Sequence, residues 1–149
     1  MSIAVDVNTL LYSSDQSSPF HAHAVQYLRD RAAGSEVFCL AWPTVMSYLR
    51  MATHPGLFKQ PLTPAEAIRN IDALVRLPHV RLLSEDEGFW EVYRQVIAKA
   101  PARGNQIPDA HLAAILRQHE VGTLCTNDAD FRRFDFLRIV SLPSESPTD

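Results

Sequence analysis

Three aspartates stand where an α/β chain could put them to work. Asp6 falls at the end of the apolar run IAVDV, Asp128 follows TLCT after a single Asn127, and Asp109 sits one residue inside a helix opened by Pro108. A lone carboxylate in a first helical turn has a simple explanation, because the helix dipole favours it by about 0.3–1 kcal/mol. Asp109, however, shares a stripe with Leu112, Ala113 and Leu116 at i+3, i+4 and i+7, which points its side chain toward the packed face. Carboxylates gathered in one place repel and raise one another's pKa unless a cation or a proton joins them. A hard divalent ion such as Mg2+ takes oxygen ligands, commonly one or two carboxylates with water and substrate phosphate. Asp6, Asp109 and Asp128 are therefore a candidate metal and catalytic site, provided the fold brings them together. Asn8 either extends that shell or N-caps a short helix. Asp130 belongs to Asn127-Asp128-Ala129-Asp130, which is turn chemistry in its own right and also a possible extension of the site. Arg132 and Arg133, like Arg103, could hold a nucleic-acid backbone or simply face solvent.

The elements that must position these side chains are legible in periodicity and capping. Apolar runs at 3–7, 36–41, 80–83 and 123–126 read as buried strands, with a last short strand around Arg138–Val140. Between them lie helical segments. Ser18-Pro19 opens one that Gly34 stops, Pro43 opens one through Ala52, and Thr63-Pro64-Ala65-Glu66 is a capping box for a third. Ser84 with Glu87 reads as a second capping box for a helix to about Ala100, and Pro108 starts one to about Glu120 that Gly122 closes. Alternation of this kind favours an α/β domain whose largely parallel sheet is covered on both faces. In such a sheet ligands bind beyond the carboxyl ends of the strands, where Asp6 and Asp128 fall. Residues 1–142 read as one domain and 143–149, PSESPTD after Leu142, as a flexible tail.

Composition narrows the choice further. The chain has 149 residues, 46% of them hydrophobic and 21% charged, the make-up of a globular domain and of neither a disordered nor a fibrous one. The longest apolar run, Val37 to Trp42, stops at Pro43, far short of the roughly 18 residues of a membrane helix. The N-terminal stretch lacks a basic region and carries Asp6 inside its first apolar run, so no signal peptide is expected. Cys39 and Cys125 lie in apolar runs without metal-ligand spacing, which suits small buried thiols in a reducing cytoplasm. A formal net charge of −3 argues against a nucleic-acid coat protein but leaves room for an enzyme that meets phosphates through a metal ion. The motifs HExxH, GxGxxG, the P-loop and GxSxG are absent. His21 and His23 face different sides of a helix, and His111 reads as structural or solvent-facing. Phe38, Trp42 and Tyr48 read as core or interface residues.

Four segments in order, IAVDVNTLLY, YLRMATHP, PDAHLAAILRQHE and TLCTNDADFRRF, give the chain a resemblance to the PIN-domain ribonucleases, specifically the VapC-type toxins of bacterial toxin–antitoxin pairs. The resemblance implies a three-layer α/β/α sandwich with a mostly parallel sheet of four or five strands. It also implies a Mg2+- or Mn2+-dependent endoribonuclease site, with Asp6 and Asp109 as principal anchors. Asp128 would bind directly or through water, and Asn8 stands at the family's small polar position. A VapB-type antitoxin and a homodimer are the implied partners. One departure stands out. Many members carry a Glu in the helix that here begins at Pro43, whereas PTVMSYLR has no acid, leaving Val45 or Ser47 at the corresponding place. That departure motivates a rival reading, a PIN-fold RNA- or protein-binding module with weak or lost catalysis. A phosphotransfer domain with Asp6 as nucleophile would need a second Asp where this chain has Asn8.

Overall fold

Short, largely apolar runs form strands β1 (Ser2–Val5), β2 (Val37–Ala41), β3 (Val80–Leu83), β4 (Thr123–Cys125) and β5 (Arg138–Val140). In the computed structural model, which describes residues 1–145, they assemble into one five-stranded sheet of order β3-β2-β1-β4-β5. Every pairing in it is parallel. Helices α1 (Val7–Ser14), α2 (His21–Ala33), α3 (Trp42–Ala52) and α4 (Pro64–Val75) pack on one face, and α5 (Phe89–Lys99) and α6 (Ile107–Gln118) on the other. The result is a three-layer α/β/α sandwich, the parallel sheet covered on both faces that the alternation of elements favours. No helix among the described residues is long and apolar enough to cross a membrane.

Strand alternation divides the core into two halves. Ile3, Val5, Phe38, Leu40 and Cys125 face α1–α4, while Ala4, Cys39, Ala41 and Leu124 face α5 and α6. The residues Leu112, Ala113 and Leu116 are buried as the stripe on α6 predicts, and so are Ala110, Ala114 and Ile115. Both cysteines are buried and free, on opposite faces of the sheet. Phe38 and Tyr48 are core residues, but Trp42 is exposed at the start of α3.

Several boundaries differ from expectation, each for a local reason. β1 ends at Val5, because Asp6 leaves the strand to N-cap α1, its Oδ1 accepting from the Val7 amide at 2.7 Å. Asn8 is therefore not the cap but a residue of the first turn. The capping box at Thr63 and Glu66 forms in both directions, at 3.1 Å each way. The one expected at Ser84 and Glu87 does not. Gln118 at the end of α6 binds the backbone of Asp86 and Glu87, and Gly88 (φ +82°) caps α5 instead. α6 ends at Gln118 through Glu120 in the left-handed region (φ +58°), so Gly122 is not its terminator. Of the expected tail, Glu145 is tied down by its amide to the Pro19 carbonyl at 2.8 Å, and residues 146–149 lie outside the described part.

Tyr48 couples three of the four helices on its face. Its ring is buried, and its hydroxyl meets Ser14 Oγ of α1 at 2.7 Å and Asn70 Nδ2 of α4 at 2.9 Å. Tyr48→Phe keeps the packing and removes both bonds, so it should cost about 1 kcal/mol. A thermal melt should show Tm lower by ~2–4 °C.

Candidate metal centre

Chain direction explains why acidic groups collect at one edge. In a parallel sheet every strand ends at the same side, and a helix that leads back into a strand starts there. β1 and β4 are neighbours, and the order of strands reverses between them, which opens a crevice at their carboxyl ends. Asp6 follows β1, Asp128 lies just past β4, and Asp109 sits in the first turn of α6, which runs back toward β4. α1 and α3 also begin at this edge, so three helix N-termini point their positive ends at it.

The side chains are tied into place. Thr126, fully buried, donates from Oγ1 to Asp6 Oδ2 at 2.9 Å and accepts from the Asp128 amide at 3.0 Å. One hydroxyl thus links the two strand-end aspartates. Asp128 Oδ1 then accepts from the Asp130 amide at 2.9 Å and N-caps a short 3-10 helix, Ala129–Arg133. That turn swings Asp130 back toward the crevice. Asp109, Asp128 and Asp130 each offer a carboxylate oxygen within 4.8 Å of the others. Asp6 and Asp109 line a small pocket of about 110 Å3 with Thr44, Ser47 and His111.

Asp109, Asp128 and Asp130 lie close enough together to share an ion, so Asp130 joins the expected aspartates at this edge. Asp6 accepts one hydrogen bond at each oxygen, from the Val7 amide and from the Thr126 hydroxyl, and its charge reaches both Asp109 and Asp128. Asn8 is half-buried in the first turn of α1. Arg132 is exposed, whereas Arg133 donates through Nη2 to the carbonyls of Ala100 and Pro101. Ser47, not Val45, lines the pocket; Val45 is core.

Two contributors escaped the sequence reading. Thr126 is a hydroxyl residue at the end of a buried apolar strand, beside Asn127-Asp128, and that position was its available signal. Glu85, on the loop after β3, accepts a hydrogen bond from His111 Nε2, which holds the Glu85 carboxyl below the usual range. Nothing in the local sequence links residues 26 positions apart.

Electrostatics record the crowding. Burial lifts the Asp6 carboxyl above its ordinary range, hydrogen bonds from Thr126 and Val7 pull it back, and the Asp128 charge pushes it up again. Burial, followed by the charges of Asp128, Asp6 and Asp130, raises Asp109 to about 6, with Arg133 opposing. Oxygens that share one ion at 2.0–2.6 Å lie within about 5 Å of each other, so the trio fits a hard divalent cation.

The fold and this edge together define an α/β/α domain with a carboxylate cluster at its topological switch point. The PIN domain family matches residues 3–137. Ribonuclease VapC48 of Mycobacterium tuberculosis is 42% identical over 139 residues, 93% of this chain and 96% of that one. Ribonuclease VapC43 of the same species is 32% identical over 136 residues, 91% of this chain and 92% of its own length. In three dimensions, a chain of VapBC2 from Rickettsia felis, solved bound to a DNA fragment from their promoter, superposes with a TM-score of 0.65 at 15% identity. The match covers 96% of this chain and 100% of that one. The chain belongs to the PIN-domain family, in its VapC ribonuclease branch.

Asp109 carries a prediction about stability. Its folded pKa of about 6 lies above the unfolded value of about 3.9, so folding is disfavoured by its ionisation and stability falls as pH rises from about 4 to about 6. In EDTA at a pH of about 7.5, Asp109→Asn should therefore raise stability by about 1 kcal/mol after discounting for solvent screening, or ~2–4 °C in Tm. At a pH of about 4 the two proteins should melt together.

Proposed function

We propose that this protein is a metal-dependent endoribonuclease toxin that hydrolyses RNA phosphodiester bonds and is neutralised by a VapB-type antitoxin. The observation that carries the reading is the carboxylate trio at the β1/β4 crevice, on a chain whose relatives are ribonucleases over nearly their whole length. Asp109, Asp128 and Asp130 would hold Mg2+ or Mn2+. Asp6 would support them through its charge and its bond to Thr126. Bound there, the metal would activate a water for in-line attack and neutralise charge developing on the phosphate. The chain's own residues do the rest. Thr126 keeps Asp6 and Asp128 in register, and the N-termini of α1, α3 and α6 favour an anionic phosphodiester at the same edge.

The partners follow from the same likeness. The structural neighbour in Rickettsia felis is itself part of a VapBC pair, which supports a VapB-type partner here. A homodimer of this chain within that assembly, and a cytoplasmic site of action suited to two buried free thiols, complete the proposal. The missing acid on α3 favours the rival binding-module reading, but three carboxylates remain within sharing distance without it.

Purified protein incubated with total RNA should cleave it at defined positions with Mg2+ or Mn2+ and leave it intact in EDTA. Replacing Asp6, Asp109 or Asp128 by Asn should lower the rate on the order of a hundredfold or more, the several kcal/mol that metal-borne charge stabilisation supplies. Intact RNA under every metal condition would leave the binding module as the better reading. Ser47→Glu should put a carboxylate at the pocket wall and lower the Mg2+ needed for half-maximal rate about tenfold, equivalent to about 1.4 kcal/mol. Val45→Glu, which buries a charge in the core, should instead unfold the protein in a melt.

A further inference from the structure

A second cavity lies at the far end of the Ala129–Arg133 turn from the acidic edge, and its chemistry is the opposite. It has a volume of about 360 Å3 and is walled by the end of α5, the last turn of α6 and the segment after the 3-10 helix. Its floor includes Phe134 and Phe136, and its rim carries Lys99, Arg117 and Arg133 against one carboxylate, Asp135. Arg117 lies over the Phe136 ring at 5.2 Å and Arg133 over Phe134 at 5.3 Å. Among the described residues, none of these three cations forms a salt bridge. Three cations against one carboxylate in one cavity are a concentration of positive charge in a chain whose formal net charge is −3.

We infer that this cavity binds a nucleotide of the RNA strand further along from the one being cut, with its phosphate on Lys99 and Arg117 and its base on the guanidinium groups. The inference rests on the ribonuclease reading and extends it. Three observations carry it. The volume falls in the range of small-ligand pockets, roughly 300–1,000 Å3. Flat guanidinium planes backed by phenylalanine rings are surfaces on which unpaired RNA bases stack. The cavity is also joined to the carboxylate trio by a single 3-10 helix, which begins at Asp128 and ends at Arg133. At about 2.0 Å rise per residue, its five residues span only about 10 Å. The same short helix thus presents carboxylates at one end and a cation at the other. Such a layout answers a physical need, because an acidic cleft repels phosphate and the strand requires a cationic hold close by.

An acidic peptide would also meet cations here, but it would gain nothing from the flat guanidinium faces. The test uses Lys99→Ala with Arg117→Ala. Both side chains are exposed, and an unchanged melt confirms the fold. Binding is measured in EDTA on an Asp109→Asn background, by anisotropy of a short fluorescein-labelled single-stranded RNA across a salt series. The double variant should bind about tenfold more weakly, with the salt slope reduced by about 1–2, one for each phosphate contact removed. In Mg2+, with Asp109 intact, KM for RNA should rise about tenfold at unchanged kcat. Unchanged affinity, salt slope and KM would overturn the inference while leaving the ribonuclease reading in place. Weakened binding of polyaspartate but not of RNA would overturn it in favour of an acidic partner. If wild type binds RNA through these residues yet cleaves none with any metal, the cavity stands and the ribonuclease reading falls.

Discussion

The pairing of β1 with β4 is the constraint on which the site depends. Ile3, Ala4 and Val5 lie opposite Thr123, Leu124 and Cys125, and the ladder runs one bond further, from the Asp6 amide to the Cys125 carbonyl at 3.0 Å. That register brings Asp6 and Thr126 to the same level, so that a buried hydroxyl can reach a buried carboxylate. A slip of one residue would turn every side chain of the strand to the other face, sending Val5 toward α6 and Ala4 toward α1. It would also part Thr126 from Asp6. The same alternation that buries the two half-cores therefore aligns the chemistry at the edge.

What results is a site under electrostatic tension. Four aspartates approach one another at the end of a hydrophobic sheet, and burial first, then their mutual charge, raises the pKa values of Asp6 and Asp109. Local features offset part of it. Three helix N-termini face the edge, Thr126 and Val7 satisfy the oxygens of Asp6, and Arg133 opposes the charge on Asp109. The remainder is borne by the packing behind the site. α6 illustrates this, with Ala110 and Leu112 through Leu116 all buried behind Asp109.

Charge is segregated on a small body. The acidic crevice and the cationic cavity occupy the two ends of Ala129–Arg133, so one turn of five residues organises both. Anchorage of that turn comes from its surroundings rather than from its own length. Phe131 and Phe134 are buried against α6, and Arg133 is bonded to the loop after α5. On the other side of the crevice, Asn127 holds the Leu142 backbone through two bonds, which ties the chain beyond β5 to the end of β4.

Much of this was legible in residue order alone. Alternating strand and helix patterns, the Thr63 capping box and the apolar stripe behind Asp109 are local signals, each contained within a few residues, and they led directly to a parallel sheet with aspartates at its carboxyl edge. Ser47 as the pocket-facing member of the Val45 and Ser47 pair was also readable, since a small polar side chain suits a wet wall and valine suits a core. Tertiary structure decided the rest. Asp130 came within ligand distance of Asp109 and Asp128 through a turn closed by its own amide on Asp128, while Asp6 was fastened to Thr126, 120 positions away. Gln118 displaced the Ser84 capping box from another helix. Lys99, Arg117 and Arg133 became neighbours only when α5, α6 and the segment after β4 packed together. Backbone preferences act between adjacent residues and are written in sequence. Which oxygen is free to hold an ion depends on hydrogen bonds between distant residues, and those exist only once the chain has folded.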